Sequence, residues 1–224
     1  MQDHDAEQHK HDESSKSPIA ASRNAAEALV ALKAGNQRFA EGRVLHAHQA
    51  ADWRSQLTGG QHPLATVLCC SDSRVPPELV FDQGLGDLFV VRVAGNIVDA
   101  DVIGSIAYAV RHLQTALVLV MGHECCGAVT AALQATDGHG EDAKYIAKLL
   151  QHIIPSVQSL DPDLHGEARV AAAVEANVRH SIEKLRQIPE ARELIENRSV
   201  RLEGAVYDIA TGVVRFLGDS LQEQ

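Results

Sequence analysis

The sequence predicts an α/β fold with a mostly parallel central sheet flanked by helices, an N-terminal helical arm and a C-terminal β-hairpin. In the middle of the chain, short apolar runs typical of strands alternate with helical patterns, and this alternation favours a parallel sheet. The run at residues 116–121 is apolar throughout, as expected for a strand with both faces buried. A chain of 224 residues that is 45% hydrophobic can bury a large core without disulfide bonds.

Each element rests on a local pattern of the sequence. Apolar residues recur at helical spacing from residue 22 and predict the arm, which is expected to break at Gly35–Asn36. Strands are predicted at residues 64–70, 88–94 and 116–121, and a hairpin at residues 200–208 and 213–217. Further helices are predicted at residues 49–57, 76–78, 101–113, 127–135, 143–154, 168–186 and 189–196.

The chain is predicted to hold one domain behind a polar tail. Residues 1–20 are rich in His, Asp, Glu, Lys and Ser, a composition typical of a flexible segment. Residues 21–224 contain no linker and no internal repeat, so we expect a single folded domain there. The His- and Asp-rich tail resembles the stretch that follows a removed export signal, which favours a mature periplasmic chain over a cytoplasmic one.

The charge balance argues against two classes of partner. Asp and Glu number 30 against 20 Lys and Arg, which gives a net charge of −10 at pH 7. A surface for nucleic acid or for an anionic membrane needs a basic stripe, so we expect neither partner. The apolar runs are also far shorter than the ~18 residues of a membrane span.

The four cysteines form two adjacent pairs, Cys69–Cys70 and Cys125–Cys126. A disulfide framework would spread its cysteines along the chain, whereas paired cysteines beside a histidine favour a metal site or catalysis. Cys70 ends one predicted strand, and His123 and Cys126 follow another. Ligand sites in open parallel sheets lie at the carboxyl ends of the strands, so these three side chains converge if the two strands are neighbours.

Two thiolates and one imidazole would hold Zn²⁺ with one tetrahedral position open, as in catalytic zinc sites. We therefore predict Cys70, His123 and Cys126 as ligands of one Zn²⁺ per chain. Successive strand side chains point to opposite faces, so Cys69 and Cys70 are not expected to reach the same ion. Cys69 and Cys125 are predicted to be buried and not to bind the metal.

The residues that follow Cys70 add a carboxylate and a guanidinium. Asp72 lies two residues past a predicted ligand, where its carboxylate can reach the open metal position or accept a hydrogen bond from a group bound there. Arg74 can hold that carboxylate in a two-pronged ion pair and keep it away from the metal. We predict Asp72 and Arg74 as catalytic residues.

These motifs resemble a known family. Residues 70–74 (CSDSR) and 123–126 (HECC) are similar to the Cys-x-Asp-x-Arg and His-x-x-Cys signature of β-class carbonic anhydrases. Similar blocks occur in family order at residues 35–39, 60–63, 89–92, 94–96, 122–123 and 204–208. The resemblance runs from about residue 22 to the end of the predicted hairpin.

The resemblance implies a zinc lyase that interconverts CO₂ and bicarbonate through hydroxide bound to zinc, on the β-carbonic anhydrase fold. It also implies that Gln61 donates a hydrogen bond to a CO₂ oxygen and that Phe89, Ala94 and Tyr108 line the substrate pocket. In the family, part of this pocket comes from a second subunit. A homodimer is therefore the expected minimal unit, and a tetramer is a further option.

Two other functions stay open at this point. The first is hydrolysis of COS or CS₂ with the same zinc ligands, because pocket width and access decide the substrate. The second is a non-catalytic zinc or redox sensor that uses the adjacent cysteines. The group that carries the proton to solvent is also open, with His62, His112 and His139 as candidates.

Overall fold

The computed structural model describes residues 24–139, 143–197 and 199–218. Within these ranges the strands are β1 (Ala65–Cys69), β2 (Leu88–Arg92), β3 (Leu117–His123), β4 (Arg201–Tyr207) and β5 (Val214–Phe216). The helices are α1 (Ala25–Ala40), α2 (Ala51–Gln56), α3 (Pro77–Val80), α4 (Ala100–His112), α5 (Gly127–Thr136), α6 (Lys144–Leu150), α7 (Ile154–Val157), α8 (Gly166–Arg186) and α9 (Pro189–Glu196).

The described strands form one sheet in the order β2-β1-β3-β4-β5, in which the first four strands are parallel and β5 runs antiparallel to β4. β1 and β3 occupy the interior of this sheet and are buried along their whole length. Their almost purely apolar sequences suit burial on both faces. The predicted fold class, including the C-terminal hairpin, is confirmed.

The register of β1 and β3 decides where the site forms. Cys69 pairs with Met121, so Cys70, the next residue, lies beside the end of β3 that carries His123. β3 continues two residues further than predicted, and His123 pairs with Tyr207 on β4. The two strands that carry predicted ligands are therefore neighbours and end at the same edge of the sheet.

The predicted break of the arm at Gly35–Asn36 is wrong, because α1 is continuous to Ala40. A Cβ atom on Gly35 would lie 1.8 Å from the carbonyl oxygen of Phe81, so glycine allows the helix to approach this backbone closely. The buried Asn36 side chain donates to the carbonyls of Val80 and Gly212. Tertiary contacts, rather than a break, explain these two poor helix formers.

Other differences concern the ends of elements. The single helix predicted at residues 143–154 is two shorter helices, α6 and α7, separated by a turn. The predicted tail at residues 1–20 lies outside the described residues. Across the part of the chain that is described, none of the helices is long and apolar enough to cross a bilayer.

Candidate metal centre

Three buried side chains meet at the carboxyl edge of the sheet. One ligand atom from each of Cys70, His123 and Cys126 lies within 4.8 Å of the other two. Cys70 follows β1 directly, His123 is the last residue of β3, and Cys126 immediately precedes α5. The structure thus brings together the three residues predicted as ligands, which we call the Cys-His-Cys group.

The other two cysteines differ from each other. Cys69 is buried, as predicted, and burial raises the pKa of its thiol to about 12. The prediction that Cys125 is buried is wrong, since its side chain is exposed and its backbone is left-handed, with φ of 53°. This tight turn between β3 and α5 leaves the Cys125 side chain at the surface, although the next residue, Cys126, is buried.

One nitrogen of His123 is left for a ligand. Nδ1 lies 2.8 Å from the carbonyl oxygen of Glu124, a contact that requires the proton on Nδ1. Nε2 is therefore an acceptor, and it is buried without a hydrogen-bond partner. A buried acceptor beside two cysteine sulfurs fits a metal ion, and this donor set is one that Zn²⁺ prefers.

The two thiols of the group are electrostatically unequal. Hydrogen bonds from Cys126 and from the Gly95 amide lower the pKa of Cys70, against the opposing effect of burial. The Gly95 N–H lies 3.3 Å from the Cys70 Sγ. Sharing its proton with Cys70, together with burial, raises the pKa of Cys126. Cys70 is therefore the more readily deprotonated of the two, and the thiolate is the form that binds metal.

Asp72 and Arg74 form the predicted two-pronged ion pair. The Arg74 guanidinium donates to both Asp72 oxygens, at 2.9 and 2.7 Å, and its backbone N–H donates to Oδ1 at 2.9 Å. These contacts hold the pKa of the Asp72 carboxyl well below its usual range. Asp72 Oδ2 lies 4.0 Å from His123 Nε2, so the carboxylate stands next to the unpartnered nitrogen.

Two groups outside the predicted set also shape the site. Arg92 donates to the carbonyls of Cys70 and Asp72, at 3.0 and 2.6 Å, and fixes the backbone that carries both. The Gly95 N–H bonds the Cys70 sulfur. A turn at Gly95–Asn96 is predictable from the sequence, but the direction of its amide depends on tertiary packing.

The predicted pocket residues are dispersed within one chain. Ala94 immediately precedes Gly95 and lies beside the Cys-His-Cys group, whereas Gln61 is exposed on the loop before β1. Phe89 pairs with Thr66, four residues before Cys70, which is about 13 Å along the strand. Tyr108 is 51% exposed and packs against Phe89, with ring centroids 6.2 Å apart.

The comparisons with known proteins agree with this architecture. The carbonic anhydrase family profile matches residues 65–214. Carbonic anhydrase 2 of Mycobacterium tuberculosis is 40% identical over 190 residues, which cover 84% of this chain and 91% of that protein. The β-carbonic anhydrase CcaA superposes with a TM-score of 0.72 at 29% identity, covering 88% of this chain and 97% of that one.

A tetrameric β-carbonic anhydrase of Sordaria macrospora superposes with a TM-score of 0.67 at 29% identity, covering 83% of this chain and 94% of that one. A mostly parallel sheet with a buried Cys-His-Cys group at its carboxyl edge defines a protein with a candidate metal site. The chain belongs to the carbonic anhydrase family, in its β class, and is a carbonate dehydratase.

Proposed function

We propose that this chain catalyses the reversible hydration of CO₂ to bicarbonate with one Zn²⁺ held by Cys70, His123 and Cys126. The observation that carries the proposal is the buried, unpartnered Nε2 of His123 within 4.8 Å of two cysteine sulfurs. Bound there, Zn²⁺ would lower the pKa of water from 15.7 toward ~7, which makes the nucleophile available at neutral pH.

Asp72 directs the attacking water. Oδ1 accepts two hydrogen bonds from Arg74, whereas Oδ2 accepts one and keeps a second lone pair. That lone pair accepts a hydrogen bond from the water and orients it toward the carbon of CO₂. A new bond forms between the water oxygen and that carbon, as one C=O π bond opens onto its oxygen and one O–H bond of the water breaks. One water and one CO₂ thus give bicarbonate and a proton, and the proton leaves to solvent.

The substrate requires few polar contacts, because CO₂ has no net charge. Ala94 supplies a small apolar wall beside the Cys-His-Cys group, and the Gln61 side-chain amide donates to a CO₂ oxygen. Phe89 and Tyr108 lie too far along the sheet to line the site of their own chain. We propose that they contribute to the pocket of a second copy, so that a homodimer is the minimal active unit.

The deciding experiment is stopped-flow CO₂ hydration by the zinc-loaded protein between about pH 6.5 and 9. We expect fast turnover that increases with pH, because the nucleophile is the deprotonated form of water. Absence of CO₂ hydration throughout this range, with one zinc bound per chain, would contradict the proposal. Turnover of COS or CS₂ by that same preparation would assign the site to those substrates.

Cysteine variants separate catalysis from redox sensing. We expect Cys70→Ser to lose zinc and to slow CO₂ hydration by roughly 100-fold or more, because a hydroxyl replaces a zinc-binding thiolate. Cys69→Ser and Cys125→Ser should keep zinc and most of the activity, since neither side chain belongs to the Cys-His-Cys group. Zinc content and initial rates check this, and loss of function in the latter two variants would favour redox sensing.

A further inference from the structure

A row of polar side chains on α8 holds the segment at residues 94–98, which we call the 94–98 segment. Asn177 Nδ2 donates to the Gly95 carbonyl at 2.8 Å, and Ser181 Oγ donates to the Asn96 carbonyl at 3.0 Å. Lys184 Nζ donates to the Val98 carbonyl at 2.6 Å. Positions 177, 181 and 184 share one face of a helix, so the three side chains can bond three carbonyls of the same segment.

The 94–98 segment has a backbone that needs external support. Gly95 and Asn96 are consecutive left-handed residues, with φ of 67° and 42°. For Asn96 this conformation is intrinsically unfavourable, and such residues persist where their surroundings hold them in place. A Cβ on Gly95 would also lie 2.6 Å from Ile153 Cδ1 and 3.2 Å from the Ala128 Cβ. The segment therefore packs closely against the α5–α7 region as well as bonding to α8.

The polar row occupies an otherwise apolar face. Asn177 and Ser181 are each 1% exposed and lie among the buried apolar residues Val174, Val178 and Ile182. Polar side chains in such a place are unfavourable unless they are hydrogen-bonded. The Asn177 Nδ2 and Ser181 Oγ donors both bond the 94–98 segment, whereas Asn177 Oδ1 is buried without a hydrogen-bond partner. Holding that segment therefore accounts for the two donors.

The 94–98 segment acts on the metal group through one amide. The Gly95 N–H donates to the Cys70 sulfur at 3.3 Å, and the next carbonyl along the chain is the one that Asn177 holds. Hydrogen bonds to a ligand sulfur draw charge away from it and thereby tune the metal that it binds. Changing the position of the Gly95 peptide would change this donation.

We propose that Asn177 and Ser181 are positioning residues, with Lys184 as a third, that aim the Gly95 N–H at the Cys70 sulfur and limit the charge that this thiolate gives to the metal. The inference deepens the proposed function and rests on it for its catalytic meaning. The bonds themselves and their effect on the thiolate do not depend on which substrate the site turns over.

The test uses Asn177→Ala and Ser181→Ala in the full-length, metal-loaded protein. Thr115→Val is the matched control, because it also removes one buried hydroxyl bond, to Thr66 at 2.8 Å, away from the metal group. Hydrogen exchange of the Gly95 amide, measured by NMR relative to the core amide of Val120, is expected to become about tenfold faster in both variants. The control should leave this ratio unchanged.

The Co²⁺-substituted protein supplies a second readout. A thiolate that has lost its N–H donor is richer in charge, so its charge-transfer band to cobalt should move to longer wavelength in both variants and not in Thr115→Val. An unchanged Gly95 exchange ratio and an unchanged band in Ser181→Ala, which removes a single hydroxyl, would overturn the inference. Both readouts are independent of turnover, so failure of the proposed function would show separately, as absent CO₂ hydration with normal spectra.

Discussion

The Asp72–Arg74 ion pair is a common kind of surface contact, and its position is what supports the catalytic role proposed for it. Arg169 and Asp137 also form a two-pronged ion pair, at 2.7 and 2.8 Å, at the opposite end of α5 from Cys126. Exposed pairs of this kind contribute little to stability. The Asp72 pair differs because its carboxylate stands 4.0 Å from the unpartnered nitrogen of His123.

We therefore expect Arg74→Ala to slow CO₂ hydration by roughly 10- to 100-fold while zinc remains bound. Without the guanidinium, the Asp72 carboxylate is free to turn toward the metal and occupy its open position. Stopped-flow rates and zinc content check the prediction. Arg169→Ala removes the other ion pair and should keep the wild-type rate. A wild-type rate in Arg74→Ala would refute the proposal that the Arg74 ion pair holds Asp72 in place for catalysis.

At the residue scale, much of the site could be predicted from the sequence. Cys70, His123 and Cys126 follow from strand ends and ligand chemistry, and the Asp72–Arg74 pair follows from its spacing. The exposure of Cys125 could not be predicted, because it depends on a left-handed residue in the turn into α5. The hydrogen bond from the Gly95 amide to Cys70 could not be predicted either, since every residue type except proline carries the same backbone donor.

At the scale of elements, Gly35 lies where α1 closely approaches the backbone at Phe81. We expect Gly35→Ala to lower the free energy of unfolding by about 1–3 kcal/mol or more, because the added methyl meets the Phe81 carbonyl. Gly104→Ala is the matched control on α4, where a Cβ meets nothing within 4 Å. This variant should gain about 0.5–1 kcal/mol from helix propensity. Urea denaturation measures both, and equal effects would exclude the close approach as the cause.

Asp82 ties α1 to the turn after it and gives the fold a pH dependence. It pairs with Arg38 at 2.5 Å and accepts from the amides of Leu45 and His46 at 3.0 and 3.2 Å. Burial alone would raise the pKa of Asp82, but the Arg38 ion pair and these amides together lower it. A lowered pKa stabilises the fold above the unfolded value of about 3.9 and loses that effect as the pH falls through the folded value.

Asp82→Asn should therefore destabilise the protein by about 1–3 kcal/mol at pH 7, because the charged partner of Arg38 is lost. The difference from wild type should shrink steadily below about pH 4, where the wild-type carboxyl takes up its proton. Urea unfolding at several pH values tests this expectation. A difference that stays constant down to about pH 2 would show that charge is not the cause.

The strands and most helices were predictable because their apolar patterns are strong. The continuity of α1 was not predictable, since the sequence contains a glycine and an asparagine at residues 35 and 36 and does not reveal which distant residues they contact. Asn36 bonds carbonyls at Val80 and Gly212, and its Oδ1 accepts from the Val214 amide. Partners so distant along the chain are supplied only by the folded domain, and they override local propensity.

At the scale of the whole molecule, the position of Phe89 and Tyr108 argues for assembly. β2 is an edge strand of the described sheet, and the Tyr108 ring beside it is 51% exposed. If these rings complete the pocket of a second copy, activity per chain should fall on dilution in parallel with dissociation. Sedimentation velocity and rates over the same concentrations check this, and a fully active monomer would rule it out.

The placement of the metal ligands also has a consequence for the order of folding. Cys70 and His123 stand roughly fifty residues apart in the chain and meet only when β1 and β3 are paired in register. Parallel pairings of this kind have high contact order and form slowly, because the entropy lost in closing a long loop precedes the contacts that offset it. Uptake of the proposed zinc during refolding would then report the completion of the central sheet, and a nascent chain would acquire it only after both strands have left the ribosome.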